Sequence, residues 1–157
     1  MIGAREDDGP IRLCLTGGWF DSPNVGDNAL LLGIVESIAQ AAPAAFTVLT
    51  PDPARVQALH RLPAIAPRRH PLKLLRLLWS VDALVFTGGS PFFDYVVQML
   101  CFAALAAVAR LSGAKVIVWG IWLRPLRTDF AVSWFALGAA RPPISAAVTM
   151  RPCEACR

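Results

Sequence analysis

The sequence predicts an α/β protein with a Rossmann-like parallel sheet flanked by helices. Short apolar runs of the kind that form buried strands alternate with longer segments of helical periodicity. Two of these runs end at paired glycines, a turn that often follows a strand at the ligand-binding edge of an open α/β sheet. At 157 residues, 55% hydrophobic and 17% charged, the chain is long enough for one such domain and lacks a disordered composition.

The first strand is expected at residues 12–16, because this run is short, apolar and followed by turn residues. Gly17 and Gly18 come next and leave no side chains over their backbone N–H groups. The sequence therefore predicts a strand that ends in an open glycine turn.

A helix is expected directly after this turn, over residues 28–41. Asn24 and Gly26 lie in the connecting loop, and Asp27 is expected to cap the helix. A strand, a glycine turn and a helix N-terminus favour anion binding through free N–H groups and the helix dipole. A connection without any ligand is the alternative, because the spacing matches neither GxGxxG nor GxxxxGK[ST].

The remaining elements continue the alternation. Further strands are expected at residues 46–50, 83–87 and 115–119, and further helices at 52–61, 72–82 and 92–111. Continuous apolar character in the strands fits burial on both faces, and the intervening helices favour right-handed crossovers between parallel strands. Glycines follow two of these strands as well, at Gly88, Gly89 and Gly120.

The chain divides into three expected parts. Residues 1–11 are expected to be a flexible N-terminus, 12–138 the Rossmann-like domain, and 139–157 an irregular tail. The tail is rich in Ala, Arg, Pro and Cys and has no structural period. We expect it to be out of frame, as a frameshift in a GC-rich gene would produce, and the chain to be truncated. A genuine short variant with a disordered tail is the alternative.

The net charge of +4 comes from 13 Arg and only 2 Lys, which reflects GC-rich coding more than a nucleic-acid partner. One basic cluster occurs, and few aromatic side chains interleave with it. A solvated helix start is the expected role of this cluster, with a nucleic-acid patch as the alternative and contact to anionic lipid or an anionic substrate as further alternatives. Its members are Arg68, Arg69, His70, Lys73 and Arg76.

Mean hydropathy is high, at +0.51, so a membrane segment has to be considered. The longest apolar stretch, residues 95–109, is shorter than the roughly 20 residues of a spanning helix and is expected to be a buried helix. A membrane or interfacial segment is the alternative. The polar, acidic N-terminus does not resemble a signal peptide. The expected location is the cytoplasm, with at most peripheral contact at the inner face of the membrane.

Cysteines and histidines do not form a predicted site. Cys14 and Cys101 lie in apolar segments and are expected to be buried. A lone CxxC near the C-terminus has no second pair, so no metal site is predicted. His60 and His70 are expected on the surface.

Three blocks, in order along the chain, are similar to the motifs of one enzyme family. Gly18-Trp19-Phe20 with NVGDNALL at residues 24–31 resembles the opening G-[YW]-[YF]...N-x-G-D-x-A-[IL]-L. Residues 82–90 with Asp94 resemble D-x-x-[IV]-x-x-G-G-G-S-x-x-x-D with one glycine missing. Residues 115–121 resemble K-P-V-x-x-x-x-x-G-I-G-P-L, although three residues interrupt that block after Ile121 and its second glycine is absent. The family is that of the polysaccharide pyruvyl transferases.

The resemblance implies a transferase that moves a pyruvyl group from phosphoenolpyruvate to a sugar of a cell-surface polysaccharide or its precursor, forming a ketal. Family members are similar to GT-B glycosyltransferases, with two Rossmann-like halves across a cleft. This chain resembles the first half, which contacts the acceptor, whereas the donor-binding basic residues and the general acid belong to the second half. The implied partners are a saccharide or lipid-linked saccharide, and a missing C-terminal half or a second copy. No cofactor is implied beyond the donor substrate.

The resemblance also implies site residues. Asp27 and Asp94 are expected to orient sugar hydroxyls or act as a base, with a helix cap and a first-turn dipole partner as the structural alternatives. Arg124 is expected near an anion or in a solvated loop. The expected substrate-binding residues are Gly17, Gly18, Asn24, Gly26, Gly88, Gly89, Ser90, Gly120 and Arg124.

Two other functions fit the same sequence. One is a fragment of a GT-B-like glycosyltransferase that uses a nucleotide sugar. The other is a non-catalytic remnant or interaction module, whose exposed apolar surface would favour self-association.

Overall fold

A computed structural model of the chain describes residues 9–87, 96–119 and 146–147. The strands are β1 (Ile11–Thr16), β2 (Ala44–Leu49), β3 (Ala64–Ile65), β4 (Ala83–Phe86), β5 (Lys115–Trp119) and β6 (Ala146–Ala147). The helices are α1 (Val25–Ala41), α2 (Pro53–His60), α3 (Pro71–Ser80) and α4 (Val96–Leu111).

The strands form one sheet in the order β3-β2-β1-β4-β5-β6, and every neighbouring pair is parallel. This is the strand order of Rossmann folds. The chain builds outward from β1 through β2 to β3 and then crosses to β4 on the other side of β1. The switch point therefore lies between β1 and β4, where Leu15 pairs with Val85 and Thr16 with Phe86.

The core occupies both faces of the sheet, because successive side chains of each strand point to opposite sides. Cys14 and Leu84 belong to the core packed under α3 and α4. Leu15 and Val85 belong to the core packed under α1 and α2. Burial on both faces accounts for the uninterrupted apolar runs.

The predicted α/β class, with a parallel sheet flanked by helices, is confirmed. The four predicted strands are present as β1, β2, β4 and β5, with ends that differ by up to two residues. Two strands were not predicted, β3 and β6, because each has only two residues and shows no periodicity. β6 lies within the tail that was expected to be irregular.

The described helices include none that is both long enough and apolar enough to cross a membrane.

Candidate functional site

The turn after β1 requires glycine at both positions. Gly17 has a φ of 112°, a conformation that side chains with a Cβ rarely adopt. A Cβ on Gly18 would lie 2.3 Å from Cε1 of Phe20, whose ring is fully buried. The predicted glycine turn is thus a tight corner, which we call the β1 corner and define as residues 16–19.

Asp27 ties the β1 corner to the first turn of α1. Its side chain is only 8% exposed, and its Oδ2 accepts hydrogen bonds from the Trp19 N–H at 3.1 Å and from Asn24 Nδ2 at 3.0 Å. These contacts give Asp27 a positioning role in holding the backbone of the corner.

The helix cap differs from the prediction. Helix α1 begins at Val25, three residues earlier than expected, and its N-cap is Asn24. Asn24 Oδ1 accepts a hydrogen bond from the Gly26 N–H at 3.1 Å. The prediction that Asp27 caps the helix is therefore wrong. Because the helix starts earlier, Asp27 lies inside its first turn.

The loop that joins the β1 corner to α1 is held by hydrogen bonds along its length. Ser22 Oγ donates to the Trp19 carbonyl at 2.8 Å, and Asn28 Nδ2 donates to the Ser22 carbonyl at 3.0 Å. Asp21 Oδ2 accepts from the Asp52 N–H at 3.1 Å, which links the loop to the start of α2. Such bonds reduce the ordering that a ligand at the corner would have to impose.

His60 supports this loop from α2, so its predicted surface position is wrong. The residue is half-buried, and its Nε2 lies 3.2 Å from both the Phe20 carbonyl and Asn28 Oδ1. A carbonyl oxygen only accepts hydrogen bonds, so Nε2 is the donor to Phe20. Nδ1 is buried and has no partner in the described part of the chain. The end of α2 packs back on the loop, which the local sequence pattern does not reveal.

Three buried threonines mark the carboxyl ends of neighbouring strands. Thr16 ends β1, Thr50 follows β2 and Thr87 follows β4. The Thr87 N–H donates to the Thr16 carbonyl at 2.7 Å, so the two strand ends meet at the switch point. Thr87 Oγ1 is buried and makes no hydrogen bond to any described residue.

A groove of about 750 Å³ opens from the β1 corner and runs between α3 and α4. Its polar end is lined by the corner, Thr50, Arg68 and Arg69. Its other end is apolar and is lined by Leu74, Leu78, Phe102, Leu105 and Val108. The switch point of an open α/β sheet is the expected position of a ligand site.

The polar end of the groove can bind an anion or a group rich in hydroxyls. Among the described residues, no acceptor is bonded to the N–H of Gly17 or Gly18. Trp19 is 63% exposed, and Arg68 and Arg69, which line the same groove, are also exposed. The described ranges contain no group of three or more His, Cys, Asp or Glu that could hold a metal ion.

The structure brings five of the predicted site residues together: Gly17, Gly18, Asn24, Gly26 and Asp27 lie at the β1 corner or in the loop and helix start bonded to it. The other predicted site residues lie outside the described residues, namely Gly88, Gly89, Ser90, Asp94, Gly120 and Arg124.

Arg68 and Arg69 were not among the predicted site residues, although contact with an anionic substrate was an alternative role for their basic cluster. They follow β3, which is too short to recognise from periodicity and lies between Pro63 and Pro67. Had β3 been recognised, the rule that ligands bind at carboxyl ends of parallel strands would have placed both arginines at the site.

Comparison of the chain with protein-family models found no match, and comparison with curated proteins found none either.

Proposed function

We propose that the chain is the acceptor-binding half of a polysaccharide pyruvyl transferase, arranged as in GT-B-like enzymes, and that the β1 corner binds the acceptor saccharide. One observation carries this proposal. The groove at the switch point combines, at one end, two glycine N–H groups that bond to no described residue, an exposed indole and two arginines. The motif resemblance at the same residues supports the choice of reaction.

Each component of the polar end of the groove suits a saccharide. Hydroxyl oxygens of a sugar accept hydrogen bonds from the N–H groups of Gly17 and Gly18. The C–H face of a sugar ring is apolar and packs on an exposed indole such as Trp19. Arg68 and Arg69 pair with an acidic sugar or with the phosphate of a lipid-linked precursor.

The reaction also explains why this half needs no acid of its own. Two hydroxyls of the sugar form C–O bonds to C2 of phosphoenolpyruvate and each loses its proton. C3 gains one proton, the C2–O bond to phosphate breaks, and phosphate leaves with the other proton as the ketal forms. The acid that protonates C3 and the cations that hold the donor belong, by resemblance, to the second half. The part of this half is to hold the two hydroxyls in a fixed orientation.

A glycosyltransferase half that binds a nucleotide sugar is the second candidate, because nucleotides bind at the switch point of Rossmann folds. The β1 corner does not carry the GxGxxG pattern of dinucleotide sites, which favours the saccharide.

Tryptophan fluorescence distinguishes these candidates. We expect an acidic oligosaccharide to change the emission of the full chain, and we expect Trp19→Ala to abolish the change. Trp79→Ala is the matched control, because Trp79 is also exposed but does not line the groove. A change produced by a nucleotide sugar and not by saccharides would favour the glycosyltransferase. No change with either ligand would contradict both.

Catalysis is tested by adding a second half supplied as a separate polypeptide. The complemented protein should form an acid-labile pyruvate ketal that depends on phosphoenolpyruvate. Arg68→Gln together with Arg69→Gln should raise KM for an acidic acceptor, with Arg55→Gln as an exposed control outside the groove. If no candidate second half yields a ketal although the chain binds saccharides, the proposed reaction is contradicted, whereas the proposed saccharide site is not.

A further inference from the structure

The outer face of α3 is an exposed surface that combines apolar and basic side chains. Leu72, Leu75 and Trp79 are 71%, 43% and 55% exposed. Their spacing of three and four residues places them in one stripe along the helix. Leu75 lies at the edge of this face, because it also lines the groove between α3 and α4. The inner face of the same helix is occupied by other leucines, among them the buried Leu78.

Positive charge surrounds this stripe. Lys73 and Arg76 are exposed on α3, and Arg68 and Arg69 are exposed in the turn before it. No Asp or Glu occurs between Asp52 and Asp82, so the segment contributes no opposing charge. A strongly basic surface without carboxylates repels another copy of itself, which argues against self-association through this face.

We propose that the outer face of α3 docks the chain on the surface of a bilayer that contains anionic lipids. Leucine and tryptophan side chains enter the boundary between headgroups and acyl chains, where an indole finds both an apolar and a polar environment. Lysine and arginine extend their charged ends toward the headgroups while their stems cover apolar surface. The helix lies in the plane of the interface. This docking does not depend on the proposed reaction.

Arg68 and Arg69 belong to both surfaces, because they line the groove and immediately precede α3. Docking through α3 therefore brings the polar end of the groove close to the headgroups. If the proposed function is correct, an acceptor carried on a lipid reaches the β1 corner without leaving the bilayer surface.

Sedimentation with vesicles tests the proposal on the full chain. We expect binding to vesicles of phosphatidylcholine mixed with phosphatidylglycerol, little binding to phosphatidylcholine alone, and weaker binding at high salt. Neutralising two of the positive charges with Lys73→Gln and Arg76→Gln should weaken binding to anionic vesicles roughly thirtyfold. Leu72→Ser with Leu75→Ser should weaken it by about tenfold or more. Leu111→Ser is the control, since Leu111 is 81% exposed at the end of α4, and should bind like the unmodified chain.

Tryptophan emission gives a second readout. The blue shift that vesicles induce should be smaller in Trp79→Phe than in the unmodified chain. Equal binding to neutral and anionic vesicles would overturn the proposal. A loss of vesicle binding in Leu111→Ser as large as that in the Leu72→Ser, Leu75→Ser variant would also overturn it. Failure to bind either vesicle would also overturn it, and an oligomer that Leu75→Ser dissociates would assign the face to another copy of the chain.

Discussion

The backbone N–H of Trp19 donates a hydrogen bond to the carboxylate of Asp27 at 3.1 Å. This bond crosses from the β1 corner to the first turn of α1 and leaves the indole exposed while the backbone beneath it is held. The same oxygen accepts from Asn24 Nδ2, so one buried carboxylate organises both the corner and the helix start. Hydrogen bonds within the chain therefore hold this part of the proposed binding site.

Replacing Asp27 with Ala should loosen the corner. The change removes the acceptor of the Trp19 backbone N–H and of the Asn24 side-chain amide. We expect it to lower the free energy of unfolding by about 1–3 kcal/mol. Hydrogen exchange at the Trp19 amide should accelerate by more than global unfolding explains. Asp21→Ala is the control, because Asp21 accepts one bond at an exposed position. Equal stability loss and unchanged exchange at Trp19 in both variants would contradict this role.

A methyl group on Gly18 should destabilise the chain because it overlaps the buried ring of Phe20. We expect Gly18→Ala to lower the free energy of unfolding by about 1–3 kcal/mol. Gly33→Ala is the matched control, since no atom lies within 4 Å of its added Cβ, and it should stabilise α1 by about 0.5–1 kcal/mol. Urea unfolding of the two variants measures both effects. A neutral Gly18→Ala would show that the corner is not tightly packed.

Replacing His60 with alanine should destabilise the chain much more than replacing His70. His60 bridges the Phe20 carbonyl and Asn28, so His60→Ala should cost about 1–3 kcal/mol. His70 is exposed at the start of α3 and its side chain makes no capping bond there, so its replacement should have little effect. Thermal unfolding compares them, and similar melting temperatures for both variants would mean that His60 does not support the loop.

Cys14 should make stability depend on alkaline pH. Burial raises the pKa of its thiol from 9.0 to about 12. The folded chain therefore keeps the proton at pH values where the unfolded chain loses it. The resulting stability is fully present below pH 9.0 and declines as the pH rises toward 12.

Between about pH 8 and about pH 11, the free energy of unfolding should fall less in Cys14→Ala than in the unmodified chain, by roughly 1–3 kcal/mol. Cys101→Ala, which alters an exposed thiol and leaves Cys14 in place, should keep the decline of the unmodified chain. If the free energy of unfolding changed with pH in the same way in the unmodified chain and in Cys14→Ala, the contribution of the Cys14 thiol would be refuted. The exposure of Cys101 also corrects the expectation that both cysteines are buried.

Those parts of the fold that depend on local periodicity could be predicted from the sequence. β5 was predicted at its observed bounds, because Lys115 is followed by the apolar run VIVW, with Gly113 before the strand and Gly120 after it. The order of the strands could not be predicted, because adjacency depends on how the whole chain crosses the sheet. β3 could not be predicted because its two residues are paired only with β2 and show no pattern.

The glycine turn at the candidate site could be predicted because its requirements are local, whereas contacts between distant segments could not. Gly17 and Gly18 are recognisable because a tight turn after a strand needs them. His60 and Arg68 reach the same region only through the packing of α2 and the position of β3. The sequence pattern around each residue does not predict those contacts.

Amide shifts in a two-dimensional NMR titration test the central claim, that the β1 corner binds a saccharide. We expect an acidic oligosaccharide to shift the amide signals of Gly17, Gly18 and Trp19 and the indole N–H signal of Trp19, while the amide signals of α1 beyond its first turn stay unchanged. Saturable shifts confined to another surface, or no shifts at any concentration tested, would contradict it.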